Sequence, residues 1–318
     1  MKHIKIDTFV LAIIATVTFA YFFPQLQRQL PLDLIGSIGV SLIFFFYGLK
    51  LHPNKIKEGL KNWKLHILVQ FSTFILFPLL IILFFPFVPN DWKTIWLAFL
   101  FLAALPSSVS SSVVMVSIAR GNIPAAIFNA SISGLIGIIV TPLWVGLFLH
   151  TTNSNFDLTE IYMKLIFEIF LPVVTGVFLQ RFFGKFAERY SSYITFFDKA
   201  VVLLIIFKSF SESFVEHVFS TLGFKDMVMI FLGVMLLFFI MLFLTGFLSN
   251  KFRFNKEDRI TAQFCGTKKS LIHGTVFSKV LFSSSIASGL ILLPIMLFHS
   301  FQIFVISIIA TNISNKED

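Results

Sequence analysis

Long apolar runs alternate with short polar loops along nearly the whole chain. Since a helix needs about 20 mostly apolar residues to cross a bilayer, the pattern predicts ten membrane spans, near 7–23, 32–50, 63–86, 92–119, 123–149, 161–182, 197–215, 226–249, 259–281 and 284–310. The first run lacks a small-x-small cleavage motif, so we expect a retained span and not a signal peptide. Charges at Lys208, Glu212 and Glu216 interrupt the seventh. The predicted fold class is all-α, a polytopic membrane protein.

The composition supports a bilayer environment. Apolar residues make up 57% of the chain and charged residues 13%, whereas soluble domains carry about 25% charge. The net charge of +9 lies in short loops between apolar runs, which is typical of membrane proteins and not of nucleic-acid binding. The single cysteine, Cys265, excludes a disulfide framework and a cysteine-based metal site.

The basic residues also predict an orientation. Ten spans place both termini on the same side, and most lysines and arginines fall on that side. The opposite side holds five, namely Arg28, Lys93, Lys164, Lys225 and Lys279. Because basic residues favour the cytoplasm, we expect both termini to be cytoplasmic and the protein to lie in the inner (plasma) membrane.

Two matching spans look interrupted. Five spans in each half force the halves into opposite orientations, as an inverted repeat requires, so residues 1–150 and 151–318 are predicted as two inverted five-helix repeats. Span four, "LAALPSSVSSSVVMVSIARGN", contains Pro106, and span nine, "ITAQFCGTKKSLIHGTVFSKV", contains Gly266. Interrupted spans at matching positions indicate a transporter's central site. We therefore predict breaks at Pro106 and Gly266, where the two helices cross.

Lys268 and Lys269 lie within span nine, where a lysine costs about 2.5–3.5 kcal/mol on insertion scales and indicates a functional site. The alternative is a span that begins at Ser270, with the pair in a cytoplasmic loop. His273 could relay a proton or be a satisfied core histidine, and the serines of span four could bind a ligand or pack closely. Lys208 and Glu168 fall within predicted spans. The alternative for each is a position closer to the membrane–water interface.

The segment Pro106 to Pro142, "PSSVSSSVVMVSIARGNIPAAIFNASISGLIGIIVTP", resembles helices four and five of the bile acid:sodium symporter family. "FFFYGLKL", "LHILVQFSTFILFPLL" and "FCGTKKSLIHG" resemble its divergent branch, which includes the human seventh member of solute carrier family ten and bacterial relatives. The resemblance covers essentially the whole chain. It implies ten helices, with one, two, five, six, seven and ten in a panel and three, four, eight and nine in a core.

In the sodium-coupled members of that family, two sodium ions bind behind the crossing of helices four and nine. The resemblance places the corresponding positions at Ser111 and Ser112 in span four, near Thr73 with Gln70 in span three, and at Phe264, Lys268 and Lys269 in span nine. In span five the hydroxyl positions fall on Ala126 and Ala130, and Asn129 and Ser133 could substitute for them. The predicted span-nine segment is Gly266, Thr267, Lys268, Lys269, Ser270 and His273.

The resemblance places the family's helix-nine glutamate at Phe264, and Lys268 and Lys269 put ammonium groups where cations would bind. The missing carboxylate and the added ammonium groups predict a changed ion site. The first hypothesis is a secondary transporter for a small organic anion, sodium-independent or proton-coupled, working by alternating access. The second is a regulatory membrane protein that modulates ion (calcium) entry through a partner. Since the spans contain no nucleophile–base pair or metal-binding carboxylate cluster, we expect no enzyme, cofactor or metal. The sequence leaves the oligomeric state open.

Overall fold

The computed structural model describes residues 8–51, 62–152, 163–282 and 288–315, and these residues contain helices and no strand. The α-helices are α1 Thr8–Phe22, α2 Leu32–Leu49, α3 Trp63–Phe71, α4 Phe77–Phe84, α5 Lys93–Ala104, α6 Val109–Ile118, α7 Ile123–Thr152, α8 Leu171–Arg189, α9 Ser191–Val215, α10 Phe224–Lys251, α11 Lys256–Thr267, α12 Leu271–Leu281 and α13 Ser288–Asn315. Two π-helical turns, Ser72–Leu76 and Ile166–Phe170, lead into α4 and α8.

Six helical stretches in the described part of the chain are long and apolar enough to cross a bilayer, namely Leu32–Leu49, Trp63–Phe87, Ile123–Phe148, Met163–Arg189, Phe224–Lys251 and Ser288–Asn315. They confirm an all-α, integral, multi-pass membrane protein. Predicted spans four and nine are each divided into two short helices, α5 with α6 and α11 with α12. The predicted cytoplasmic termini, 1–7 and 316–318, and most of the basic loop, 52–61, lie outside the described residues.

The chain divides into two compact units. Unit 1 comprises the described residues of 1–52, 157–223 and 275–292. In it α2 lies directly on α8, because two facing glycines leave no side chains between the backbones. A Cβ on Gly176 would lie 2.2 Å from the Phe45 carbonyl oxygen, and one on Gly48 would lie 2.4 Å from the Val173 carbonyl oxygen. Side chains as large as alanine therefore do not fit at either position.

Unit 2 comprises the described residues of 53–156, 224–274 and 293–318. It contains α7 and most of α13, so the expected placement of spans five and ten in a panel was wrong. The reason is visible at α7, where Ser133 Oγ accepts a hydrogen bond of 2.9 Å from the Ser107 N–H. A Cβ on Gly137 would approach Pro106 to 2.9 Å. Span five therefore packs on broken span four and belongs with it.

Candidate functional site

The first break interrupts predicted span four between α5 and α6, at Leu105–Ser108. Proline has no N–H to donate and forces the residue before it into extended backbone. Leu105 has φ −68° and ψ 149°, so α5 ends at Ala104. The Thr141 hydroxyl donates to the Ala104 carbonyl at 2.8 Å. Pro106 therefore causes the break, and α7 helps to satisfy the backbone groups that the break exposes.

The second break lies between α11 and α12, at Lys268–Ser270. The predicted position of this break, Gly266, was wrong by two residues, because Gly266 is in the last turn of α11. Its lack of a side chain serves packing instead, since a Cβ there would lie 3.2 Å from Thr245 and 3.4 Å from Ser72. At the break itself, the Gln302 side chain accepts from the Lys269 N–H at 2.9 Å and donates to the Lys269 carbonyl at 2.8 Å.

Hydrogen bonds join the two breaks directly. The Ser270 N–H donates to the Pro106 carbonyl at 2.9 Å, and the Ser107 hydroxyl donates to the Cys265 carbonyl at 2.8 Å. Broken backbone can lie at membrane depth only where protein or water satisfies its polar groups. Here each broken helix supplies a hydrogen-bond partner for a backbone group of the other.

The Lys269 ammonium lies in the interior of unit 2, where the residue is 1% exposed. Its Nζ donates to the backbone carbonyls of Thr73, Ala103 and Leu105 at 2.8, 2.6 and 2.8 Å. An ammonium has three donors, and these three bonds use them all. The Nζ also lies 4.1 Å from the centre of the Phe77 ring, within cation–π range. Three carbonyl oxygens and a ring face thus surround a single cation that the chain itself supplies.

These carbonyls are available because the local backbone departs from an α-helix. In the π-helical turn the Phe77 N–H bonds to Ser72, which leaves the Thr73 carbonyl without its α-helical donor. The Ser107 N–H, which would reach Ala103 in a continuous helix, bonds to Ser133 instead. The Leu105 carbonyl lies inside the break. The π turn and the proline together create the oxygen cluster that Lys269 occupies.

Lys268 differs from its neighbour. It is 0% exposed, and its Nζ has no hydrogen-bond partner among the residues that the structure describes. The hydroxyls of Ser112 and Ser72 are also buried without a partner in the described ranges. Neither lysine lies in an exposed loop or extends to an interface; one is fully bonded and the other has unused donors.

Four more predicted site residues bond to nearby groups. Gln70 donates to the Asn129 side-chain oxygen at 3.2 Å, and the Asn129 amide donates to the Ala125 carbonyl at 3.0 Å. The Ser111 hydroxyl donates to the Ser108 hydroxyl at 2.9 Å. The Gln70–Asn129 and Ser111–Ser108 contacts are two further polar pairs among the predicted site residues. Thr267 lies 3.3 Å from the Thr245 hydroxyl.

At the start of α12, the Ser270 hydroxyl lies 2.9 Å from His273 Nδ1 and accepts from the His273 N–H at 3.3 Å. Ser270 therefore caps the helix, and His273 is held one turn from the lysines. Sequence reasoning missed Gln302 and Thr141, which satisfy backbone groups at the two breaks. Gln302 could have been identified from the sequence, because a polar side chain within an apolar span indicates a candidate site residue.

A carboxylate fixes one end of α11. Asp258 accepts from the Asn62 amide and from the Asn122 amide, each at 2.7 Å. Asn122 follows the tight turn at Arg120, which has a φ of 57°, and its N–H donates to Thr261 at 2.9 Å. The Arg-Gly-Asn turn thus anchors α11. No cluster of three metal-binding side chains occurs among the described residues.

Known proteins are similar to this chain over nearly its whole length. The profile of the SBF-like CPA transporter family matches residues 7–315. The chain is 36% identical over 314 residues to an uncharacterised protein of Pseudomonas aeruginosa and 34% identical over 313 residues to the putative symporter YfeH of Escherichia coli K12, in each case covering 98% of this chain and 94% of the relative. It is 29% identical over 325 residues to sodium/bile acid cotransporter 7-B of Xenopus laevis, covering 99% of this chain and 94% of that protein.

Proposed function

Because the chain belongs to the SBF-like CPA transporter family, we propose that it moves a small organic anion by alternating access without ordinary sodium coupling. The family consists of transporters and not of enzymes. Two relatives carry the names putative symporter and sodium/bile acid cotransporter. The observation that carries the proposal is the Lys269 ammonium, which donates to three backbone carbonyls beside the joined breaks.

The proposed architecture is ten spans in two inverted repeats, 1–150 and 151–318, with both termini in the cytoplasm. The matching breaks support it. The helices before them, α5 and α11, are each 12 residues long, and the helices after them, α6 and α12, are 10 and 11 residues long. Such paired, interrupted helices carry the central site in transporters built from inverted repeats.

Lys269 acts in this proposal as a tethered cation. Sodium is a hard cation that prefers oxygen ligands, and the three carbonyls around Lys269 are oxygens that sodium would accept. The ammonium already uses them, and it cannot leave with the solute. A carrier whose cation is covalently attached has no need of an external sodium ion to stabilise the joined breaks.

In this proposal Lys268 binds the transported solute. Its buried ammonium has no hydrogen-bond partner among the described residues, and an unpaired buried charge is costly unless a ligand compensates it or a proton leaves. An organic anion would supply the missing acceptor, and the N-terminus of α12 beside it favours negative charge. Release of the Lys268 proton, with His273 one turn away, offers proton coupling in place of sodium coupling.

Transport by the full-length protein in proteoliposomes tests this. We expect saturable uptake of an anion from a series of carboxylates and sulfonates, with taurocholate as one member, at the same rate in sodium and in choline chloride. Lys268→Met should abolish uptake without unfolding the protein, and Lys225→Met, which changes an exposed lysine, should not. Strict sodium dependence would overturn the tethered-cation proposal. No saturable uptake of any anion would favour the regulatory alternative.

A further inference from the structure

Unit 1 contains a cavity of about 580 Å³ that the transport proposal does not use. Ordinary small-molecule sites have volumes of about 300–1,000 Å³. The cavity is unusual in its charge, because three ammonium groups and three carboxylates line it: Lys164, Lys208, Lys279, Asp33, Glu168 and Glu212. We call it the charged cavity. Its formal charge sums to zero, so the lining favours neither a simple anion nor a simple cation.

The charges are not evenly mixed, and one end is negative. Lys208 donates to the Asp33 carboxylate and lies 3.1 Å from the Glu212 carboxylate one turn along α9. Two carboxylates therefore share one ammonium. At this end there is one negative charge in excess, which suits a cationic group of a ligand.

The other end is positive. Lys279 lies 3.6 Å from Glu168 Oε2, beyond hydrogen-bond distance, and its Nζ donates to the Ser37 hydroxyl at 2.5 Å. Lys164, four residues before Glu168, also lines the cavity. Glu168 Oε2 is buried and has no hydrogen-bond partner among the residues that the structure describes. Lys279 therefore keeps donors that Ser37 does not use, and Glu168 Oε2 keeps an acceptor for an N–H or O–H of a ligand.

The positive end depends on a glycine. A Cβ on Gly36 would lie 2.8 Å from Lys279 Cε, so a side chain at that position would shift the end of the lysine. Lys279, Asp33 and Lys208 line the same cavity, so the two ends are adjacent. One small molecule can therefore contact both.

We propose that the charged cavity binds a small amphoteric solute, a molecule that carries one ammonium and one carboxylate. The solute's ammonium contacts Asp33 and Glu212, and its carboxylate contacts Lys279. A ligand with a single charge would contact the groups of one end and leave those of the other end without a ligand partner. The inference goes beyond the proposed function, since it concerns binding to unit 1 and holds whether or not Lys269 replaces sodium.

Isothermal calorimetry on the purified full-length protein in lipid nanodiscs tests the inference with matched probes. γ-Aminobutyrate is compared with butyrate and butylammonium, and ε-aminocaproate with caproate and hexylammonium, so that charge and length vary separately. We expect saturable binding of at least one amphoteric probe, about tenfold or more tighter than its singly charged partners, because a charge-assisted hydrogen bond contributes about 1.5–3 kcal/mol. Equal binding of a singly charged partner, or no saturable binding at millimolar concentration, would overturn it.

Three variants test the assignment of the ends. Lys279→Met and Asp33→Asn should each weaken binding of the amphoteric probe about tenfold, and Gly36→Ala should weaken it by displacing Lys279. Lys225→Met is the matched control and should bind as the wild type does. Unchanged binding by both charge variants would contradict the assignment. Lys268→Met should leave this binding intact, so that failure of the transport proposal and failure of this one give different results.

Discussion

The tethered cation makes a quantitative prediction about Lys269→Met. Methionine keeps the apolar stem but removes the ammonium, which leaves the carbonyls of Thr73, Ala103 and Leu105 without their donor. A buried acceptor left unsatisfied costs about 1–3 kcal/mol, so three cost about 3–9 kcal/mol. The wild type spends several kcal/mol to bury an ammonium, and the variant recovers that amount. At about 2 kcal/mol per carbonyl, the middle of that range, and a recovery of about 3–4 kcal/mol, we expect a net loss of about 2–3 kcal/mol in the free energy of unfolding.

Thermal unfolding of the purified protein, in sodium chloride and in choline chloride at equal ionic strength, measures this loss. Lys269→Ala extends the test, because removal of the stem opens space beside the same three oxygens. Sodium should partly restore that variant, since a ligand that binds only the folded state at 100 times its Kd adds about 2.7 kcal/mol. The wild type should unfold at the same temperature in both salts.

The matched control is the adjacent lysine. Lys268 is equally buried, but its Nζ makes no hydrogen bond within the described residues, so Lys268→Met orphans no carbonyl and relieves a buried charge. Its stability should equal or exceed that of the wild type. If Lys268→Met and Lys269→Met lost the same stability, or if sodium stabilised the wild type, the reasoning about the three carbonyls would be refuted.

Two further predictions concern packing and anchoring. Gly176→Ala should lower the free energy of unfolding by about 2 kcal/mol or more, because its Cβ would lie 2.2 Å from the rigid Phe45 carbonyl and overpacking is costly. Gly184→Ala is the matched control, since its Cβ would meet only the flexible Gln180 side chain. This control should lose little stability in the same thermal assay. Asp258→Ala removes the acceptor of two side-chain amides and should destabilise the protein by about 1–3 kcal/mol, whereas alanine at the exposed neighbour Glu257 should change it little. Equal losses for either matched pair would contradict the assigned contacts.

The local pattern of the sequence was enough to predict the helices. The apolar runs predicted helical segments at the right places, and Pro106 predicted the first break because proline acts on its own backbone and on the residue before it. The second break was predicted at Gly266, two residues before its position at Lys268–Ser270. At position 266 a glycine serves close packing rather than a turn, and sequence alone does not separate these two uses.

The partners of the lysines were decided by tertiary structure. Lys269 bonds to carbonyls of residues 196, 166 and 164 positions away, and its backbone is held by Gln302, 33 positions away. Which carbonyls are free depends on a π-helical turn and on side chains from other helices. The two adjacent lysines thus have different environments. The Lys269 ammonium uses all three of its donors, and the Lys268 ammonium has no hydrogen-bond partner within the described residues.

The same distinction applies to the whole chain. Hydropathy and proline act locally, so the sequence by itself determined the membrane class, the helical segments and the presence of charge inside them. The grouping of spans five and ten with unit 2, the oxygen cluster around Lys269 and the two ends of the charged cavity come from residues far apart in the chain. Only packing brings such residues together, because a backbone carbonyl or a carboxylate has no sequence signal for the partner that will satisfy it.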